Sequence, residues 1–137
     1  MLKHHNSSAI LAVADLPRAR AFYEGVLGLE PEQGPSAPDP APDMVVYRTG
    51  ATRLVVYVSE YAGTNRANAV VWDVPRQARD ERADEFDAIV AALEARGAAF
   101  EHYPEIGRLE GNVHVAGGAR LVWLKDPDGN LLHINSM

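Results

Sequence analysis

Residues 15–28 read DLPRARAFYEGVLG, and this stretch decides the fold. Asp15 stands where its carboxylate can accept hydrogen bonds from the unpaired amides of a first helical turn. Pro17 fits that turn because no intrahelical donor is needed there, and Gly28 stands where a left-handed C-terminal cap is expected. The residues between them that share one apolar face at helical spacing are Leu16, Ala19, Phe22, Tyr23, Val26 and Leu27. We therefore predict a helix from about Leu16 to Leu27.

The order of elements around this helix occurs twice in the chain. In the first half a buried strand precedes the helix and a hairpin follows it, with strands predicted at Ala9–Val13, Met44–Arg48 and Arg53–Val58. In the second half we predict a strand at Ala69–Val74, a helix at Ala83–Arg96 ended by Gly97, and strands at Asn112–Val115, Arg120–Lys125 and Leu131–Ile134. A repeat of this size indicates two similar modules, each with a sheet face that the other must cover. The predicted class is α+β: two paired modules, each a strand, a helix and two or three further strands, whose curved sheets enclose a cleft with the helices outside.

Length and composition place the chain among ordinary globular proteins. Its 137 residues fit a single domain, with module one at about 8–60, module two at about 68–137, and a loop at 31–42 that holds five of the nine prolines. There are no cysteines, so any metal would be held by histidine or carboxylate. The net charge is −6 with scattered Lys and Arg, which argues against nucleic-acid binding. No apolar run approaches the ~20 residues of a membrane helix, and we expect a cytoplasmic protein.

The turn at residues 126–130, DPDGN, is the strongest local signal, because Asp126 can bond its own turn and Gly129 supplies a positive φ. Together with Lys125 and Leu124 it resembles the C-terminal signature of vicinal oxygen chelate proteins. The opening signature of the same family is similar to Asp15-Leu16, Phe22-Tyr23 and Leu27-Gly28-Leu29. This superfamily includes glyoxalases, bleomycin-resistance proteins and extradiol dioxygenases, and the resemblance spans Ala9 to Ile134.

The resemblance implies two paired βαβββ modules whose curved mixed sheet surrounds a cup. In this cup one divalent metal is held by His, Gln or Glu from the first and last strands of each module. Counting from the two signatures, these positions fall on Ser8 and His133, and the two less secure ones fall near Tyr57 and Ala69. Ser8 and Ala69 are poor or impossible ligands, a neutral Tyr57 is a weak one, and only His133 is good. Since a catalytic metal needs about three protein ligands, we predict that the usual metal site is missing.

The ligand-binding residues that we predict are therefore Ser8, Tyr57 and His133, with catalytic residues unknown. His133 is either hydrogen-bonded inside a polar cleft or contacts a ligand as an acid, base or donor. His114 lies on another strand of the second module, with Val113 and Val115 on the opposite face. Arg48 and Arg53 flank the first hairpin, where each is either a solvated surface residue or a contact for an anionic ligand.

The leading hypothesis is a metal-independent, homodimeric protein that holds an apolar or aromatic small molecule in its cup. In this hypothesis no cofactor is predicted. The alternative is a lyase, isomerase or dioxygenase that binds a divalent metal through altered ligands. A third hypothesis is a structural or regulatory dimerisation domain.

Overall fold

The computed structural model describes residues 1–34, 41–75 and 85–137. The described chain divides into two compact units. The first comprises Met1–Arg66 with Asp126–Asn130, and the second comprises Ala67–Lys125 with Leu131–Met137. Each unit contains one sheet, so the α+β class predicted from the repeat is confirmed.

The first unit is a strand, a helix and a hairpin. Its elements are a short 3-10 helix at Leu2–His4, β1 at Ala9–Val13, α1 at Leu16–Arg20 continued by a π-helix at Ala21–Val26, β2 at Met44–Thr49 and β3 at Thr52–Val58. The sheet order is β1-β3-β2; β1 runs parallel to β3, and β2 and β3 form the predicted antiparallel hairpin. The face that carries Leu54 and Val56 is buried.

The start of the first helix is as predicted, and its continuation is not. The Asp15 carboxylate accepts a hydrogen bond from the Arg18 amide at 2.7 Å, which caps α1, and Gly28 has φ +69°. From Ala21 onward the helix is π rather than α, with the Leu27 amide bonded to the Phe22 carbonyl five residues earlier. An apolar repeat over two turns marks a helical face without distinguishing these two bonding patterns.

The second unit is built on a larger sheet. Its elements are β4 at Asn68–Asp73, α2 at Glu85–Ala95, β5 at Phe100–Glu101, β6 at Arg108–Glu110, β7 at Val113–Ala116, β8 at Ala119–Lys125 and β9 at Leu131–Ser136. The order is β4-β9-β8-β7-β6, with β5 on β8 and with β4 parallel to β9. Helix α2 buries Phe86, Val90 and Leu93, and the Arg120 guanidinium lies 4.9 Å from the Phe86 ring.

Two short strands of the second unit were not predicted. β5 has two residues and β6 has three, too few for an alternating pattern to be recognised. In the first unit, Pro31 and Tyr47 form an isolated antiparallel bridge.

Several predictions concern segments that are only partly described. The described ends of the proline-rich loop are 31–34 and 41–42, and its central prolines lie outside the described residues, as do residues 76–84, which include the predicted start of the second helix. Within the described ranges, no helix is long and apolar enough to cross a membrane.

Candidate functional site

His133 lies on β9 of the second unit, beside an aromatic neighbour. It is paired with Trp123 of β8 and Val71 of β4, so these three side chains share one face of the sheet. The imidazole stacks on the Trp123 indole with ring centroids 4.5 Å apart and an interplanar angle of 11°. Val71 is 51% exposed. The face next to the imidazole is thus aromatic and apolar, and part of it is open to solvent.

The protonation of His133 follows from its surroundings. Burial lowers the pKa of the imidazole, and the negative charge of Asp73 only partly opposes this effect. The neutral ring is therefore the dominant form near pH 7. Its Nε2 atom is shielded from solvent and has no hydrogen-bond partner among the residues that the structure describes. A buried polar atom without a hydrogen-bond partner destabilises the folded state by about 1–3 kcal/mol. A hydrogen bond to Nε2 from another molecule would therefore be favourable.

A second histidine, His114, packs against the same indole. Its ring lies edge-on to Trp123 at 4.9 Å, and its Nε2 accepts the Tyr103 amide hydrogen at 2.8 Å. A neutral His114 thus carries its proton on Nδ1, which is buried without a partner in the described part of the chain. The Trp123 indole N–H donates to Asn68 Oδ1 at 3.0 Å. Strand alternation predicts which residues of β8 and β9 share a face. It does not predict that Trp123 is the partner of His133, because the register between the strands is not contained in the sequence pattern.

Ser8 precedes β1 in the first unit and lines a polar pocket. We call it the hairpin pocket, because most of its lining belongs to the β2–β3 hairpin. Its volume is about 330 Å³, and it is lined by Asn6, Ser8, Glu32, Arg48, Gly50, Ala51, Thr52 and Arg53. The Asn6 side-chain amide donates to the Ala51 carbonyl at 3.3 Å, which holds the N-terminal segment against the hairpin turn.

Three charged side chains of the hairpin pocket form one ion-pair cluster. Glu32 Oε1 accepts from Arg53 Nη2 at 2.9 Å and from Arg48 Nη2 at 3.1 Å, while Glu32 Oε2 lies 2.6 Å from Arg53 Nε. The Arg53 hydrogen bonds are the main reason that the pKa of Glu32 is lowered, and Arg48 acts in the same direction against partial desolvation. Two guanidinium groups and one carboxylate leave the cluster with one positive charge.

Tyr57 lies on β3, where it is paired with Ala12 of β1 and Met44 of β2. Its side chain is half-buried and shares a sheet face with Val55. Tyr57 is not part of the hairpin pocket. The structure therefore groups Ser8 with two arginines rather than with Tyr57, and it places His133 in the other unit.

The residues at the family's metal positions do not fit a divalent metal. Ala69 has no donor atom, Ser8 and Tyr57 offer hydroxyl groups, and His133 offers the single imidazole. Within residues 1–34, 41–75 and 85–137, no three His, Cys, Asp or Glu side chains are grouped closely enough to hold a metal ion.

Comparison with known proteins identifies the family to which the chain belongs. The chain belongs to the glyoxalase/bleomycin resistance protein/dioxygenase superfamily, whose family model matches residues 4–134. This confirms the resemblance to vicinal oxygen chelate proteins. A comparison with curated proteins finds no match.

Solved structures share the fold at low sequence identity. A glyoxalase/bleomycin resistance protein/dioxygenase from Alicyclobacillus acidocaldarius is 20% identical with a TM-score of 0.66, covering 96% of this chain and 90% of its own. The fosfomycin resistance protein FosX from Listeria monocytogenes is 15% identical with a TM-score of 0.61, covering 97% and 90%. A lactoylglutathione lyase from Agrobacterium tumefaciens is 22% identical with a TM-score of 0.59, covering 96% and 92%. At these identities the likeness shows the fold alone.

Proposed function

We propose that this protein binds a small apolar or aromatic molecule without the divalent metal used by enzymes of its family. The proposal rests on the environment of His133. Its Nε2 atom has no hydrogen-bond partner among the described residues, and its ring stacks on Trp123. Because Nε2 is covered, a ligand reaches it only when the covering side chains move aside, and a ligand that then supplies the hydrogen bond removes the penalty of the unpaired nitrogen. The imidazole as a whole is only half-buried, which leaves part of the ring open to an incoming molecule.

The neighbouring side chains favour an apolar or aromatic ligand. Trp123 and the exposed Val71 flank His133, and small-molecule sites typically combine such apolar walls with a few polar groups. A neutral imidazole adds one directional hydrogen bond without the desolvation penalty of a charge. Ser8 and Tyr57 of the first unit stay proposed ligand-binding residues, Ser8 through its hydroxyl and Tyr57 through its hydroxyl and ring.

The donor set supports metal independence. Of the four family positions only His133 has a side chain that divalent metals bind well, and a single imidazole is fewer than the three protein ligands of a catalytic site. The alternative is a metal-dependent lyase, isomerase or dioxygenase with altered ligands. Holding a ligand unchanged and catalysing a reaction on it are both compatible with such a site, and product analysis after incubation distinguishes them.

The test is a thermal-shift and calorimetric screen of small aromatic compounds against the full chain. A specific binder should raise Tm in proportion to the logarithm of its concentration, corresponding to about 2.7 kcal/mol at a hundredfold excess over Kd. We expect His133→Ala to weaken binding about tenfold or more, the loss expected for a buried hydrogen bond together with ring contacts. His102→Ala is the matched control, because His102 is an exposed histidine of the same unit that bonds Asn112.

Two results would contradict the proposal. Stoichiometric metal in protein purified without chelators, lost in His133→Ala, would support the metal-dependent alternative. A panel in which no compound shifts Tm, or equal effects of His133→Ala and His102→Ala, would support a structural or dimerisation role. A homodimer, testable by analytical ultracentrifugation, and a cytoplasmic location, testable by cell fractionation, are part of the same proposal.

A further inference from the structure

We propose that the hairpin pocket binds a small oxyanion, the carboxylate or phosphate group of a ligand. The described residues that line the pocket all belong to the first unit, and among them Ser8 is the one that the function proposed above also names. Its support is the arrangement of charge around Glu32, Arg48 and Arg53, independent of His133.

The exposed side of the ion-pair cluster is positive. The Glu32 side chain is 2% exposed, whereas those of Arg48 and Arg53 are 65% and 44% exposed. The carboxylate thus lies beneath the guanidinium groups, and an anion approaching from solvent meets the cations first. Among the residues that the structure describes, Glu32 is the only carboxylate that lines the pocket. This local positive charge stands out on a chain whose net charge is −6.

The guanidinium groups are already oriented before a ligand arrives. Ion pairs to Glu32 fix both arginines, so less side-chain entropy is lost when they bind an anion. A guanidinium has five N–H donors in a planar fork suited to carboxylate and phosphate oxygens. Among the described residues Arg48 uses one of its donors, on Glu32. The exposed hydroxyl of Ser8 is a further donor on the pocket wall.

The pocket is larger than a bare anion requires. Its volume of about 330 Å³ lies at the lower end of small-molecule sites, which typically span roughly 300–1,000 Å³. Val55 and Tyr57 follow Arg53 on β3 at alternate positions, so they share its sheet face. An oxyanion at Arg53 therefore has an apolar surface beside it for the rest of the ligand.

A purely structural role for the cluster makes a different prediction. If Glu32 serves only to attach the chain to the hairpin, then Glu32→Gln and Arg48→Gln both weaken the same ion pairs and neither changes anion affinity. If the pocket binds an oxyanion, the two substitutions change affinity in opposite directions. Glu32→Gln removes a competing negative charge and keeps an amide oxygen that can accept from the guanidinium groups, whereas Arg48→Gln removes a positive charge.

The experiment is an NMR titration of the full chain with inorganic phosphate at low ionic strength, with acetate and benzoate in separate arms. We expect saturable shifts at the hairpin-pocket residues, and tighter binding of benzoate than of acetate if Val55 contacts the ligand body. Arg48→Gln should weaken phosphate binding about fivefold, and Glu32→Gln should strengthen it at least about twofold, the range expected for partly exposed charges. Arg108→Gln, an exposed ion-paired arginine of the second unit, is the matched control.

The proposal is overturned if no anion gives saturable shifts, if neither Glu32→Gln nor Arg48→Gln changes anion affinity, or if the two substitutions change it in the same direction. Should Glu32→Gln unfold the chain, as judged by circular dichroism, the comparison of Arg48→Gln with Arg108→Gln decides alone. His133→Ala is expected to leave phosphate affinity unchanged, so failure of one proposal does not imply failure of the other.

Discussion

His133 is partly buried and stacked on an indole, and its Nε2 has no hydrogen-bond partner among the described residues. Burial and one nearby carboxylate determine its charge. Burial disfavours the imidazolium and lowers its pKa, while Asp73 partly counteracts burial through its negative charge. At the residue scale, the site is therefore a neutral hydrogen-bonding group whose charge state depends on pH below neutrality.

This charge state predicts a pH dependence of stability. Because the pKa of folded His133 lies below the usual 6.5, the unfolded chain binds more protons in the window between the two values. The contribution of His133 is complete above about pH 6.5 and is lost as pH falls through that window. We expect Tm to fall more between about pH 7.5 and pH 5.5 in the wild type than in His133→Phe.

Asp73→Asn provides a second measure of the same effect. Removing the Asp73 charge should lower the pKa of His133 further and enlarge the acid loss of Tm. An NMR titration of the His133 ring protons checks both statements. A midpoint at or above 6.5 in the wild type would contradict them.

At the element scale, the turn Asp126–Asn130 is held by one carboxylate. Asp126 Oδ1 accepts from the Asp128 and Asn130 amides at 2.9 and 2.8 Å, and Oδ2 accepts from the Asn130 side chain at 2.8 Å and the Tyr23 hydroxyl at 2.7 Å. Asn130 also donates to the Ala12 carbonyl at 3.1 Å. Through these hydrogen bonds the turn is attached to both β1 and the π-helix of the first unit. This structural role is sufficient to explain the DPDGN sequence at residues 126–130.

Tyr23→Phe tests how much that attachment contributes. Burial and the Asp126 carboxylate raise the pKa of Tyr23, so the phenol stays protonated and donates. Removing the Tyr23 hydroxyl should lower the free energy of unfolding by about 1.5–3 kcal/mol, as expected for the loss of a buried hydrogen bond to a charged acceptor. Tyr57→Phe is the control, because Tyr57 is only half-buried, and it should change stability by less than about 0.5 kcal/mol. Equal urea midpoints for the two variants would contradict this account.

Gly107 lies so close to β7 that we expect a larger side chain at this position to destabilise the fold. A Cβ atom on Gly107, just before β6, would lie 2.5 Å from the Val115 carbonyl oxygen of β7. Gly107→Ala should therefore force the two segments apart and destabilise the chain by roughly 1–3 kcal/mol. Gly25→Ala is the matched control, because nothing lies within 4 Å of its Cβ and its φ is not positive. Chemical denaturation of both variants is the measurement, and equal losses would contradict the steric explanation.

At the scale of the whole molecule, most of the fold could be predicted from periodicity and caps. β1 and β3 lie where alternation and apolar runs placed them, and Asp15 and Gly28 mark the ends of the first helix as expected. The π-helix could not be predicted, because an apolar helical face does not distinguish its hydrogen bonds from those of an α-helix. The strands β5 and β6 could not be predicted, because two or three residues are too few to show an alternating pattern. The pairing of the modules around a cup stays a prediction.

The candidate site was less predictable than the fold. The residue types at Ser8, Ala69 and His133 were sufficient to predict that the usual metal site is missing, because each side chain's ability to bind a metal is a property of that side chain alone. The stacking of Trp123 on His133 and the joining of Glu32 to Arg48 depend on strand register and loop closure. Local sequence thus determined which elements form and which side chains are available. Only the tertiary structure decided which of them meet, because contacts between distant residues depend on packing of the whole chain rather than on local preference.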